Sequence, residues 1–330
     1  DFTDAQGSLT PYAGCNIYFY GNYTVSSSTT TWGGNGTAHF GNGSSITCNN
    51  NVTFNDFDIL PSANVTMIYA AGNVAVGGSV ILGSGSTFTC NENITVSGDW
   101  TNNGGTFSNP SKTITFDGSS GIIGGTGTTA FNNLTIGASN INVAYTMNNN
   151  NSCNYLVLSA AGSTRTLTLG SSSVVFTVNN DITINQATAN SKTNLLAVNA
   201  GTCNVSGNLI FSGSNDTTSR IVQVAVTTGS FALTGNVTWL SNSVSSTEII
   251  SVTSGTLTFA SSLTMGSGSG TLAVTGTGIV NFNGSSAPSF TFGGATAPVL
   301  TPTPGCTLNF ANGFTNNSTR SEERRVGKAC

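Results

Sequence analysis

Residues 88–96 read Phe-Thr-Cys-Asn-Glu-Asn-Ile-Thr-Val, and this stretch decides the fold. A Cys-Asn pair sits in a small polar turn, and an alternating strand leaves it. The frame returns as ITCNNNVTF around Cys48, NSCNYLVL around Cys153, GTCNVSGNL around Cys203 and GCNIYFY around Cys15. GCTLNF around Cys306 departs only in the residue after the sulfur. Reuse of one short unit along a chain marks a solenoid or an array.

Working outward, period-2 alternation fills the rest of the chain. It is plain at Thr113-Ile-Thr-Phe, Arg165-Thr-Leu-Thr-Leu, Asp181-Ile-Thr-Ile, Arg220-Ile-Val-Gln-Val-Ala-Val and Gly255-Thr-Leu-Thr-Phe. Alternation of β-branched and aromatic residues, bounded by Gly, Asn and Ser, is the signature of strands. It predicts roughly two dozen of them, each about 4–7 residues long. No segment shows a helical period. Two further phrases recur. One is Phe-x-Gly-Ser or a close variant, at 39–45, 115–121, 210–216 and 281–287; the other is Gly-Asn or Gly-Asp leading into a strand, at 72, 98, 207 and 235. Such residues suit fixed corners between strands. Proline is missing between Pro110 and Pro288, as central sheet strands require, and its return at 288–304 predicts the end of the regular coil.

Charge is scarce. Only 6% of the 330 residues are Asp, Glu, Lys or Arg, against about a quarter in ordinary proteins. Ser, Thr, Asn and Gly exceed half of the chain, yet 37% of residues are apolar and 18 are Phe. That is enough for a long, thin core, so ordered β structure is expected rather than disorder. Basic residues are scattered, which excludes a nucleic-acid surface, and no run of 18 apolar residues spans a membrane. Residues 320–330, RSEERRVGKAC, hold four of the eight basic residues and two of the twelve acidic ones, leaving +4 and −10 on residues 1–319. This run resembles a translated sequencing-library adapter with one residue changed. It is set aside as a non-native tail of a metagenomic fragment, Cys330 included. The remaining organisation reads as an N-terminal cap or first strands at 1–30, a repeat region at 31–300 and a linker or last strand at 301–319.

Residues 113–137, TITFDGSSGIIGGTGTTAFNNLTIG, resemble bacterial extracellular β-strand-repeat proteins of the adhesin type, and Phe54-Asn-Asp-Phe-Asp-Ile is a looser echo. The resemblance extends in weaker form over most of 30–312. It implies a secreted, right-handed parallel β-helix in a surface or matrix role, with no catalytic residues to carry over. The residues themselves point to stacking, because a coil of about 20–25 residues cannot bury its apolar face alone. About 13–15 such coils would rise about 4.8 Å each. The competing architecture is a string of antiparallel β-sandwiches.

Six cysteines remain (Cys15, Cys48, Cys90, Cys153, Cys203 and Cys306), an even set that fits disulfides in a secreted protein or small buried side chains. Asn-x-Ser/Thr occurs 14 times, for example at Asn22, Asn35, Asn64, Asn93, Asn236 and Asn283, as the composition alone would produce, so glycosylation is left open. Asp56 and Asp58 would share one strand face, as a glycosidase pair must, but two solvated surface aspartates, or a weak cation site, are the expected reading of that spacing. His39 is the only histidine, and nothing in the sequence positions it. Trp32, Trp100 and Trp239 could stack on sugars, but core packing accounts for them too. No metal motif or cofactor motif emerges.

Function is therefore expected to be structural or adhesive: a non-enzymatic extracellular rod, secreted or at the cell surface. Its partners would be other copies, matrix or surface proteins, or glycans. A carbohydrate- or ice-binding module is the alternative. A flat ice-binding face needs a regular array of threonines, whereas the Thr-x-Thr steps at 113–115, 164–168 and 256–258 lie many coils apart. A glycan-cleaving β-helix enzyme comes third, for want of acidic residues.

Overall fold

A computed structural model describes residues 1–4, 14–26, 30–32, 35–68, 72–213, 219–239, 246–261, 263–265, 270–285, 289–290, 299–313 and 315–316. Within them the chain forms 38 short strands and no helix. The strands are more numerous and often shorter than their sequence pattern predicts. They stack as a β-solenoid of about 11 turns, with sheets of six, 16 and 13 strands along the stack and a further sheet of three strands. Every pairing between these strands is parallel; for example, Ile17, Ala38, Phe57, Val80 and Trp100 succeed one another across the 13-stranded sheet. The antiparallel sandwich is thereby excluded.

Alternation explains why these residues wind this way. Ser45–Cys48, Asp56–Ile59, Thr87–Cys90 and Thr113–Phe116 all place their second and fourth residues inside and the others outside. The inner residues of all sheets meet in one continuous core that runs from Phe19 to Phe282. A buried Val, Leu, Ile or Phe contributes about 1.5–3 kcal/mol, and no single coil could enclose these side chains by itself. Register partners lie from 19 to 29 residues apart, as between His39 and Asp58 and between Arg165 and Asn194. Several coils of the second half run to 26–29 residues, as between Leu156 and Ile182 and between Arg165 and Asn194, longer than the expected 20–25.

Two departures from uniformity matter below. The six-stranded sheet ends at Thr106–Ser108, which pairs with Thr87–Cys90 on one side only. The next strands on this side, Thr129–Ile136 and Asn151–Leu158, are long enough to cover two faces at once. Each bends where two successive residues face outward, Asn132–Asn133 and Asn154–Tyr155. Outside, threonines come into line. Thr31, Thr53, Thr95, Thr115 and Thr135 occupy one row on the 16-stranded sheet, broken only by Ala75.

The corners are held by asparagine and aspartate. A parallel ladder leaves corner N–H groups without carbonyl partners, and a short side-chain oxygen can take their place. Asn51 Oδ1 accepts the Asn73 N–H at 2.8 Å, Asn93 Oδ1 that of Thr113 at 2.8 Å, and Asn208 Oδ1 that of Asn236 at 2.9 Å. Asp181 Oδ1 accepts from the Asn208 N–H at 2.7 Å. Each bond reaches one coil further along. The abundance of asparagine in the sequence thus has a structural use.

At the ends, Phe2–Asp4 and Tyr23–Val25 already lie in the six-stranded ladder. Within the proline-rich stretch the coil continues through Val299–Pro302, and beyond it through Thr307–Phe310, where the end of the regular coil was expected. Pro302 is tolerated because its strand is the last of its sheet. The tail at 320–330 lies outside the described residues.

Candidate functional site

The sequence-predicted carboxylates sit where strand alternation puts them, facing outward from Asp56–Ile59. They are not a free pair. Asp58 Oδ2 lies 2.7 Å from His39 Nδ1, while Asp56 Oδ1 accepts the Ser79 N–H at 2.7 Å and its Oδ2 accepts from Asn55 Nδ2 at 3.0 Å. The ladder sets this geometry, since Tyr18, His39 and Asp58 are direct partners on three successive rungs. His39 is therefore positioned after all, against the sequence expectation. Its other nitrogen faces Asn16 Oδ1 at 3.2 Å, and the Tyr18 ring stacks on it with centroids 4.4 Å apart. The ring nitrogens thus face a carboxylate and an amide, not a hydroxyl. Tyr18 and Tyr20 remain 51% and 71% exposed beside this row.

All six cysteines are free thiols, which corrects the expectation of disulfides. Cys90 pairs with Met67 and Met67 with Ile46. Cys48 lies two residues beyond Ile46 on its strand, so it stands two rungs from Cys90 and is offset along the strand, more than about 9.6 Å away and beyond the reach of a bridge. Cys48, Cys90, Cys153 and Cys203 are buried, Cys15 is exposed and Cys306 lies between. Burial pushes the Cys48, Cys90 and Cys203 thiols up to about 12 and raises Cys153 well above its ordinary value. Such thiols pack as small apolar groups and are poor nucleophiles.

Asn22, Asn35, Asn64, Asn93, Asn236 and Asn283 are all exposed. Trp32 and Trp100 belong to the core, and Trp239 packs against it. No group of three or more metal-ligating side chains converges among the described residues. No described helix is long and apolar enough to cross a membrane.

A feature the sequence did not reveal lies where the six-stranded sheet stops. With no backbone ladder between Thr106–Ser108 and Thr129–Ile136, a trough opens on the outer face, its two parts holding about 440 and 280 Å³ and sharing Ala130 and Ser152. Asn109 spans the break by accepting the Asn132 N–H at 2.9 Å and donating to the Lys112 carbonyl at 3.0 Å. An amide ladder lines one wall: Asn154 Nδ2 donates to Asn132 Oδ1 at 2.9 Å, and Asn179 Nδ2 to Asn154 Oδ1 at 3.1 Å. Only the consecutive outward pairs in the two long strands hint at this bend, and that signal cannot be read before the register is known.

The chemistry on offer is thus twofold: an aromatic and acidic row at one end of the 13-stranded sheet, and an uncharged trough midway along the solenoid. No family model, no curated protein and no solved structure matches the chain.

Proposed function

We propose that this chain is the rod of an extracellular structural or adhesive protein, secreted or displayed on the cell surface, with no catalytic role. One observation carries the reading: the 13-stranded ladder runs without a break from Asn16–Phe19 to Val299–Pro302 over a single core. Such a ladder makes a stiff body of about 58 Å, and its outermost described strands, Asn16–Phe19 and Val299–Pro302, carry edges that can pair with another copy. The outer face, polar but nearly uncharged, suits contact with neutral surfaces more than with charged ligands. The partners are further copies of the chain, other surface or matrix proteins, and glycans. Electron microscopy of the purified chain tests this. Rods that join end to end, or that coat a glycan-bearing surface, agree with it; monomers that adhere to nothing overturn it.

A second reading, a face that binds ice, gains support from the row of Thr31, Thr53, Thr95, Thr115 and Thr135. The Thr-x-Thr steps are far apart in sequence, but single threonines from intervening coils fill the row at about 4.8 Å spacing. Threonine is stiff at χ1, so its hydroxyl and methyl groups keep fixed positions. Thermal hysteresis that disappears in Thr95→Leu/Thr115→Leu is the expected result; freezing indistinguishable from that of an inert protein removes this reading.

A further inference from the structure

We propose that the trough between Thr106–Ser108 and Thr129–Ile136 binds a neutral oligosaccharide of three or four pyranose units, lying along the solenoid axis. The proposal deepens the adhesive reading by naming the ligand class and the place where it is held.

The shape comes first. Ala130, Ser152 and Thr177 are register partners facing outward, and they form a floor across three rungs. Equivalent outward positions on preceding rungs of the six-stranded sheet carry Thr66 and Thr89. Ala130 and Ser152 therefore lower the floor where the ladder is already interrupted. From Ala130 to Thr177 is two rung steps, about 10 Å, and the unpaired gap toward Ser108 adds to it, the length of a short glycan rather than of a single sugar. At one end the floor deepens onto Phe107 and Phe131, nearly buried rings with centroids 6.0 Å apart, which offer an apolar base to the C–H face of a pyranose.

The polar groups then select the class. No charged side chain lines either part of the trough, so nothing there would pair with a carboxylate or phosphate. The wall is made of amides. Each carries two N–H donors and an oxygen with two lone pairs. Asn154 spends one donor on Asn132 and one lone pair on Asn179, which leaves one of each for a ligand. Asn132 and Asn179 each use fewer within the ladder. Donor and acceptor side by side, repeating once per rung, is what the hydroxyl edge of a linear pyranose chain requires. A rung step is also comparable to the length of one pyranose unit. The ladder fixes the amides in advance, so little side-chain entropy is lost on binding.

The experiment is calorimetric titration of the full chain with cellotetraose, N-acetylchitotetraose and mannotetraose, with tetragalacturonate as the acidic counterpart. At least one neutral tetrasaccharide should bind in the millimolar range or tighter, and tetragalacturonate more weakly. Ser152→Trp, which fills the trough from an outward position, should weaken binding about tenfold or more, and Asn154→Ala severalfold. Should either variant misfold, amide-resonance mapping on the unmodified chain decides instead. Saccharide-induced shifts should then centre on Ser152, Asn154 and Thr177 and leave Tyr18 and His39 unmoved. The proposal is overturned if no neutral tetrasaccharide binds, if tetragalacturonate binds as well, if Ser152→Trp binds unchanged, or if the shifts centre elsewhere. Rods that assemble or adhere while the trough binds nothing would sink this inference alone and leave the adhesive reading standing.

Discussion

The two halves of the solenoid are filled in different ways. From Phe19 to Tyr145 the core holds a chain of touching rings, among them Tyr23, Trp32, Phe40, Phe54, Phe57, Phe88, Trp100 and Phe116. Beyond Tyr145 the interior turns mainly to Leu, Ile and Val. Both halves bury amides and a carboxylate (Asn102, Asn109 and Glu92 in the first, Gln186, Asn194 and Glu248 in the second), but only the second buries arginines, Arg165 and Arg220. Coil length changes at the same place. Successive partners on the 13-stranded sheet are 19 residues apart at Ala38 and Phe57 but 29 at Arg165 and Asn194. Short coils have few corner residues, so their interior is closed by bulky rings. Longer coils bring arginines inward, where each must find a partner or cost the fold stability. One architecture thus tolerates two kinds of interior, because each rung answers mainly to its neighbours.

The largest test of that contrast is Trp100→Ala. Trp100 is fully buried, its ring meets Phe107, Phe116 and Phe131, and its Nε1 donates to Thr129 Oγ1 at 3.1 Å. Loss of about 4–5 kcal/mol is expected from the cavity, the Thr129 hydroxyl keeping the bond it accepts from Asn102 Nδ2 at 3.2 Å. Hydrogen exchange should quicken in the first half and remain slow beyond residue 200, because stability in a stacked array is local. Uniform acceleration along the whole chain would break the comparison.

Arg165→Ala probes the other half and should cost about 3 kcal/mol in denaturant unfolding. The Arg165 guanidinium is buried and donates to the carbonyls of Ser139, Ile141 and Thr164. Its removal strands the Ser139 and Ile141 carbonyls at one corner, while that of Thr164 keeps the Val143 N–H at 3.0 Å. Burial also holds its pKa below the ordinary guanidinium value, with nearby Asp117 opposing that shift. Arg165→Met keeps most of the volume and loses only the donors. If it proves as stable as the parent, packing and not hydrogen bonding holds the second half too.

The inward and outward sides of strands such as Ser45–Cys48, Thr87–Cys90 and Thr113–Phe116 were legible in the sequence, because alternation over four residues fixes them. The solenoid followed from the repeated frame. Register was not legible. Nothing local places His39 beside Asp58, 19 residues away, or lines up single threonines from five coils. Coil length was misjudged in the second half because residues added at corners leave the strand pattern intact. The inward-facing Arg165 and Glu248 occupy alternation positions that a charge was not expected to hold. The trough was hidden for a related reason: a missing ladder is a relation between two strands, and neither strand shows it alone.

Both halves contain buried thiols, so alkali should loosen them alike. The raised thiols are neutral in the folded state and ionise more readily once exposed. Their contribution is complete below the ordinary value of 9.0 and is lost as pH rises toward about 12. Midway through that window each of these thiols should weaken the fold by about 2 kcal/mol. Cys90→Ala should blunt the effect in the first half and Cys203→Ala in the second, read as melting temperature against pH. Below pH 9 iodoacetamide should label Cys15 first, then Cys306, and leave the four buried thiols intact.

The smallest effect comes from what the two halves share, the corner staples. Asn93→Ala removes the oxygen that accepts the Thr113 N–H and should cost about 1 kcal/mol, as an exposed cap does. Asn208→Ala, losing the bond to Asn236 and also the one its Nδ2 donates to Asp181 Oδ1 at 3.0 Å, should cost a few tenths more. Asn93→Asp separates the contributions, for it keeps the acceptor and should be nearly neutral, while Asn93→Gln has a longer reach and should behave like alanine. The staple also bears on the sequons. Asn93 and Asn236 are exposed, and a glycan attached through Nδ2 leaves Oδ1 free, so sugar and staple can coexist at Asn93. A glycosylated sample that melts no lower than the bare chain would show that these asparagines hold the corners whether or not they are modified.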